Sequence, residues 1–290
     1  MADSNLFISL NGKIVLQEDA NVPAVQSGLF YGAGCFESLL IEQNRVFRFD
    51  EHFNRLICGL DYLGVPTKYH PDKEKLSVDI YRLVEKNNLQ QERARIRIQC
   101  SLNEQKGYYR DSERPLNQII TCSRFHQEPM KPARLASVKT KVVPSECKPA
   151  NLKLSNMLHY RNASREAVDA GADDALMLTV NGFLAETSIA NIFWKNGNEV
   201  FTPSTACDIL PGIMRNSVIE IVHRHSGLKL CEGDFQYGQL EVADCIWLTN
   251  SVREILPVQS VDGKEYRIDD PVFEMIGAEL DKMKQIETGK

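Results

Sequence analysis

Two Asn-Gly pairs limit the fold more than any other feature of the sequence. FISLNGKIV alternates around Asn11-Gly12, and DALMLTVNGFLAE turns on Asn181-Gly182. Asn and Gly accept the positive φ of a two-residue hairpin turn, so antiparallel strand pairs are predicted in both halves of the chain. RARIRIQCSL, NQIITCSRF, RLASVKTKVV, IANIFWK, ADCIWLTNS and EILPVQSVDG read as further strands. EHFNRLICGLDYLGV carries apolar residues at helical spacing and stops at Gly64, before Pro66. Other helices are expected over 72–87, 153–170 and 270–285, and from Gly212 through GIMRNSVIEIVHRH. Strands and helices mix without a regular βαβ rhythm, which predicts an α+β fold of two domains. QEPMKPAR, with two prolines and mixed charge, reads as the join. The expected division is an N-terminal α+β domain at 1–127, a linker at 128–134 and a C-terminal α+β domain at 135–290 that carries Lys153.

At 290 residues, with 43% hydrophobic and 25% charged residues, the chain can bury a large core. Its net charge of -5 gives no reason to expect nucleic acid or an anionic membrane as partner. MADSNLFISLNGK has acid where a signal peptide would have base, and no apolar run approaches the length of a membrane span. The eight cysteines are scattered without a CxxC pair, a pattern of reduced thiols that predicts a cytoplasmic protein. His223 and His225 would point to different faces of a helix, so no metal site is expected.

Each candidate functional residue has an ordinary explanation when taken alone. Lys153, between Leu152 and Leu154, reads as a solvated lysine before a helix. Glu186 would be a surface carboxylate at a strand end, and Arg55 could pair with Glu51 four residues earlier. Pro211-Gly212 marks a helix start, whose unbonded N–H groups could also hold an anion.

Their order along the chain is more specific. Lys153, Glu186, ANIFW, PGIMR and LTNSVREILPV occur in succession, preceded by SGLFYGAGCFESLL and FRFDEHFNRL. Over nearly its whole length the chain thereby resembles the fold-type IV, or class IV, pyridoxal-phosphate enzymes. That family includes branched-chain aminotransferases, D-amino-acid transaminases and 4-amino-4-deoxychorismate lyases.

The resemblance implies pyridoxal 5'-phosphate as cofactor, bound to Lys153 as a Schiff base, with the same amine later moving the α-proton. It implies that Glu186 keeps the pyridine nitrogen protonated and that Leu210 lies against the ring. Gly212, Ile213 and Met214 would offer backbone N–H groups to the phosphate, joined by Arg55 and Ser251. The implied activity is amino transfer between an amino acid and a 2-oxoacid, by a homodimer. The alternative is 4-amino-4-deoxychorismate lyase, which releases pyruvate and 4-aminobenzoate for folate synthesis. A cofactor-binding protein without turnover is disfavoured because Lys153 and Glu186 are both present.

Several positions bear on the branch. Met214 stands where many aminotransferases have threonine, and G-I-M-R also occurs in the lyases. Leu158 stands five residues after the lysine, where branched-chain aminotransferases place tyrosine. Glu37-Ser38 follows Phe36 where many lyases carry threonine, and the D-amino-acid transaminases usually have tyrosine at Phe36. For the substrate, Arg93, Arg95 and Arg97 share one face of a strand. Arg97 and Lys106 are the candidates for a substrate carboxylate, with Tyr31 and Phe36 as further substrate-binding residues.

Overall fold

The computed structural model describes residues 6–103, 116–125 and 131–287. The chain divides into two compact units, residues 1–127 with 152–156, and residues 128–151 with 157–290. Lys153, expected in the second domain, therefore groups with the first unit. The expected linker 128–134 also runs into regular structure, because a strand begins at Ala133.

The first unit comprises β1 (Phe7–Leu10), β2 (Lys13–Leu16), α1 (Ser27–Phe30), β3 (Gly34–Glu42), β4 (Arg45–Val46), α2 (Phe49–Tyr62), α3 (Lys73–Lys86), β5 (Ala94–Leu102) and β6 (Leu116–Arg124). Its sheet is antiparallel, in the order β2-β1-β6-β5-β3-β4. Asn11 and Gly12 have φ of 52° and 79° and close the β1–β2 hairpin in two residues. Gly64 at φ +70° ends α2, and the Asp72 carboxylate accepts from the Lys75 N–H to start α3. Ala94, Ile96, Ile98 and Cys100 of β5 are buried in a core with Leu56 and Leu60 of α2 and Leu76, Ile80 and Leu83 of α3. Arg95, Arg97 and Gln99 alternate with them and take the opposite face of the sheet.

The second unit comprises β7 (Ala133–Ser137), α4 (Leu158–Asp169), β8 (Asp174–Leu178), β9 (Leu184–Thr187), β10 (Asn191–Asn196), β11 (Glu199–Pro203), α5 (Ile213–Arg224), β12 (Lys229–Gly233), β13 (Cys245–Asn250), β14 (Glu254–Val261), β15 (Lys264–Glu265) and α6 (Pro271–Glu287). Six of these strands close on themselves in the order β10-β13-β14-β7-β8-β9, since β9 pairs back to β10. Glu186 opposite Asn191 makes that closure. Leu176, Leu184, Ile192, Trp194, Leu248 and Val258 form the main core. Ala163 and Ala167 of α4 pack on Ala175 and Met177 of β8. Small residues on the helix let it approach the sheet closely.

Candidate active site

The lysine segment is an extended strand-like stretch, not the start of a helix. The Phe36 N–H donates to the Lys153 carbonyl at 2.9 Å, and the Ser155 N–H donates to the Gly34 carbonyl at 2.8 Å. These bonds tie the segment to the start of β3 and occupy the Lys153 carbonyl that a helix starting there would have needed. The Gln99 side-chain N–H donates to Ser155 Oγ at 2.7 Å, adding a tie from β5. With its backbone held on both sides, Lys153 places Nζ 5.0 Å from the centroid of the Phe36 ring. The Arg97 guanidinium reaches the same ring at 3.8 Å and donates to Gln99 Oε1 at 2.8 Å. Burial lowers the Arg97 pKa, with Arg95 adding to the effect. Tyr31 follows α1 and is 47% exposed; the next residue, Gly32 at φ +64°, passes so close to Asn156 that a Cβ would lie 3.3 Å from it. Lys153, Phe36, Arg97 and the Tyr31 turn are thus gathered in one place. Lys106 lies outside the described residues.

Arg55 is engaged differently from its plain sequence reading. Its Nε and one terminal nitrogen donate to the two oxygens of Glu37, at 2.7 and 2.9 Å. Glu51 instead pairs with Arg48 at 2.8 Å. His52 Nδ1 lies 2.7 Å from Glu37 Oε2, and both side chains are buried. Burial pushes the Glu37 carboxyl up, but the Arg55 charge and the His52 hydrogen bond outweigh it and hold the group at about 2. Burial lowers the His52 pKa, so a neutral ring donates to the carboxylate. Neighbouring residues on a strand face opposite ways, so Glu37 joins the helix side of the sheet and Phe36 the Arg97 side.

Glu186 is the centre of a second cluster, within the second unit, and is 4% exposed. The Tyr160 hydroxyl donates to its Oε1 at 2.5 Å and the Asn191 amide to its Oε2 at 3.0 Å. The Leu210 N–H is 3.3 Å from both oxygens. Asn191 also donates to the Leu210 carbonyl at 2.8 Å, which fastens the Leu210–Gly212 turn to the carboxylate. A Cβ on Gly212 would lie 2.2 Å from Asn191 Oδ1, so close approach requires glycine there. Gly212 caps α5, whose first turn has no acidic residue, and Ile213 and Met214 follow it with buried side chains. The free N–H groups at that terminus suit an anion. Ser251 lies in the β13–β14 turn, where Asn250 Oδ1 accepts from the Val252 and Arg253 N–H groups at 3.0 and 2.8 Å.

Two participants were not singled out in the sequence. Asn191 belongs to the ANIFW run, but its role depends on the turn nineteen residues later. Tyr160 lies seven residues after Lys153 on an amphipathic helix, where nothing distinguishes it from a packing residue. Lys148 sits with Nζ 5.6 Å from the Tyr160 ring centroid and 3.7 Å from Met157 Sδ. Burial lowers the Lys148 pKa and Glu186 opposes that fall.

The family model described as amino-transferase class IV matches residues 34–261. An aminodeoxychorismate lyase of Bacillus subtilis is 27% identical over 263 residues, covering 89% of this chain and 88% of its own. A branched-chain-amino-acid aminotransferase of Pseudomonas aeruginosa is 28% identical over 276 residues, covering 91% and 88%. Among solved structures, the branched-chain aminotransferase of Thermoproteus uzoniensis with norvaline superposes with a TM-score of 0.87. It is 26% identical and covers 99% of this chain and 96% of its own.

Proposed function

The chain belongs to the class IV aminotransferases, pyridoxal-phosphate-dependent transaminases, and on that premise we propose which of its residues carry the reaction. The observation that carries the reading is the Glu186 cluster. A buried carboxylate that accepts from a phenol, an amide and a backbone N–H has surroundings that favour its charged form, which suits a basic ring nitrogen that must stay protonated. The Gly212 turn beside it, with its helix N-terminus, suits a phosphate. The donor set therefore fits pyridoxal 5'-phosphate.

When bound, the cofactor supplies an aldehyde to take up the amino group and a ring to accept the electron pair left at the substrate Cα. Lys153 Nζ would hold the cofactor at rest and, once released by the substrate amine, would serve as the base that moves the α-proton. Glu186 would keep the proton on the ring nitrogen. Leu210 would pack against the ring, and Gly212, Ile213, Met214, Arg55 and Ser251 would hold the phosphate. Arg97 would receive the substrate carboxylate beside Phe36 and Tyr31, and Lys106 is the second cation proposed for that role.

The similarity to the Bacillus subtilis lyase supports a second reading, elimination of pyruvate from aminodeoxychorismate. Glu37, at the position where many lyases carry threonine, counts against it, because its carboxylate is committed to Arg55 and His52. The protein is further proposed to be a homodimer, supported by Leu29 and Phe30 at 65% and 59% exposed. A cytoplasmic location is supported by eight unpaired thiols, and no described helix is long and apolar enough to cross a membrane. To separate transaminase from lyase, holoenzyme is mixed with L- and D-amino acids while the cofactor absorbance is followed. Conversion to the amine form with release of an oxoacid is expected. No conversion with any amino acid, together with pyruvate release from aminodeoxychorismate, would overturn the transaminase reading.

A further inference from the structure

The Glu186 cluster contains more than is needed to bury a carboxylate. Asn191 and Leu210 already give it donors from the neighbouring strand and turn, and Asn191 itself belongs to the barrel closure. Tyr160 comes from a separate element, α4, and makes the shortest bond of the set, 2.5 Å to Oε1. Its ring is packed against His159 at 4.1 Å between centroids and faces the Lys148 ammonium at 5.6 Å. A cation over a phenol ring draws electron density from the hydroxyl and makes it a stronger donor.

We propose that Tyr160 is a positioning residue which, polarised by Lys148, keeps Glu186 ionised and thereby keeps the proton on the cofactor's ring nitrogen. This rests on the reading of Glu186 as the partner of that nitrogen. The proton between a carboxylate and a ring nitrogen can reside on either. Hydrogen bonds to the carboxylate favour its charged form and so leave the proton on the ring.

The charged and titratable groups around the phenol agree with this direction. Burial, followed by the charge of Glu186, raises the Tyr160 pKa well above its ordinary value, with Asp208 adding to it, so the hydroxyl remains a donor. His159 is lowered to about 4, by burial first and by Lys148 second. It is therefore neutral near pH 7, and Lys148 supplies the positive charge on the ring.

The test loads wild-type protein, Tyr160→Phe and Lys148→Met with pyridoxal 5'-phosphate carrying ¹⁵N in the ring and reads the ¹⁵N shift. Wild type should show the protonated signal. Loss of one hydrogen bond to a charged group should move the proton partition roughly tenfold in Tyr160→Phe, toward the unprotonated shift. Lys148→Met should move it the same way by less. A Tyr160→Phe protein that retains cofactor and the wild-type shift overturns the inference and leaves the assignment of Glu186 intact. Should the phenylalanine variant not fold, Lys148→Met alone decides: a shift supports the inference, and none overturns it. A wild-type ring nitrogen that is unprotonated overturns both the inference and the Glu186 assignment.

Discussion

Glu37 is fully buried, yet it is more acidic than an exposed glutamate. Burial alone would favour the neutral acid; the bidentate Arg55 contact reverses that preference. The group titrates at about 2 in the folded chain against an ordinary value of 4.5. Its contribution to stability is therefore complete above about pH 4.5 and is lost as pH falls through about 2, and amounts to on the order of 3 kcal/mol. Glu37→Gln should cost about 3 kcal/mol at pH 7, since it removes the buried negative charge that the Arg55 guanidinium faces. That deficit should narrow at pH 3, where wild type begins to lose the same interaction. Urea unfolding at the two pH values measures it, and an undiminished gap at pH 3 would contradict the assignment. The pairing also shows what spacing along a helix conceals. Glu51, four residues before Arg55, was the legible partner; the true one lies eighteen residues away on a strand. Lys153 and Glu186 are proposed as site residues from the order of motifs around them, whereas Tyr160 had no such context.

Elements whose signals are local came through the sequence well. The hairpin at Asn11-Gly12 and the helix capped by Asp72 depend on side chains within a few residues. The helix predicted over 153–170 begins at Leu158, because its first residues bond to β3 more than a hundred positions earlier. The strand predicted over 134–143 stops at Ser137 for a similar reason. The Lys139 and Thr140 N–H groups go to the Glu166 carboxylate on α4, not to a neighbouring strand. β11 and β12 were not anticipated; they extend the second sheet beyond the barrel through a parallel pairing that short runs such as EVFTP and KLCEG do not announce. The Leu210–Gly212 turn was visible as a helix boundary, but its attachment to Asn191 was not.

The α+β class followed from the mixture of strands and helices at the scale of the whole molecule. Closure of six strands into a barrel did not, since it depends on the single β9–β10 pairing. The chain also returns to the first unit for five residues, Leu152–Asn156, so the lysine belongs to a different compact unit from Glu186. A linear division of the sequence cannot represent that excursion. The proposed homodimer predicts a solution mass of about twice 32.8 kDa; light scattering that gives a single-chain mass at micromolar concentration would contradict it. Lys153 is proposed as the amine that holds the cofactor. Holoenzyme reduced with borohydride, digested and sequenced by mass spectrometry should carry the phosphopyridoxyl group on the peptide containing Lys153. Attachment at Lys148 or another lysine, with Lys153 unmodified, would contradict it.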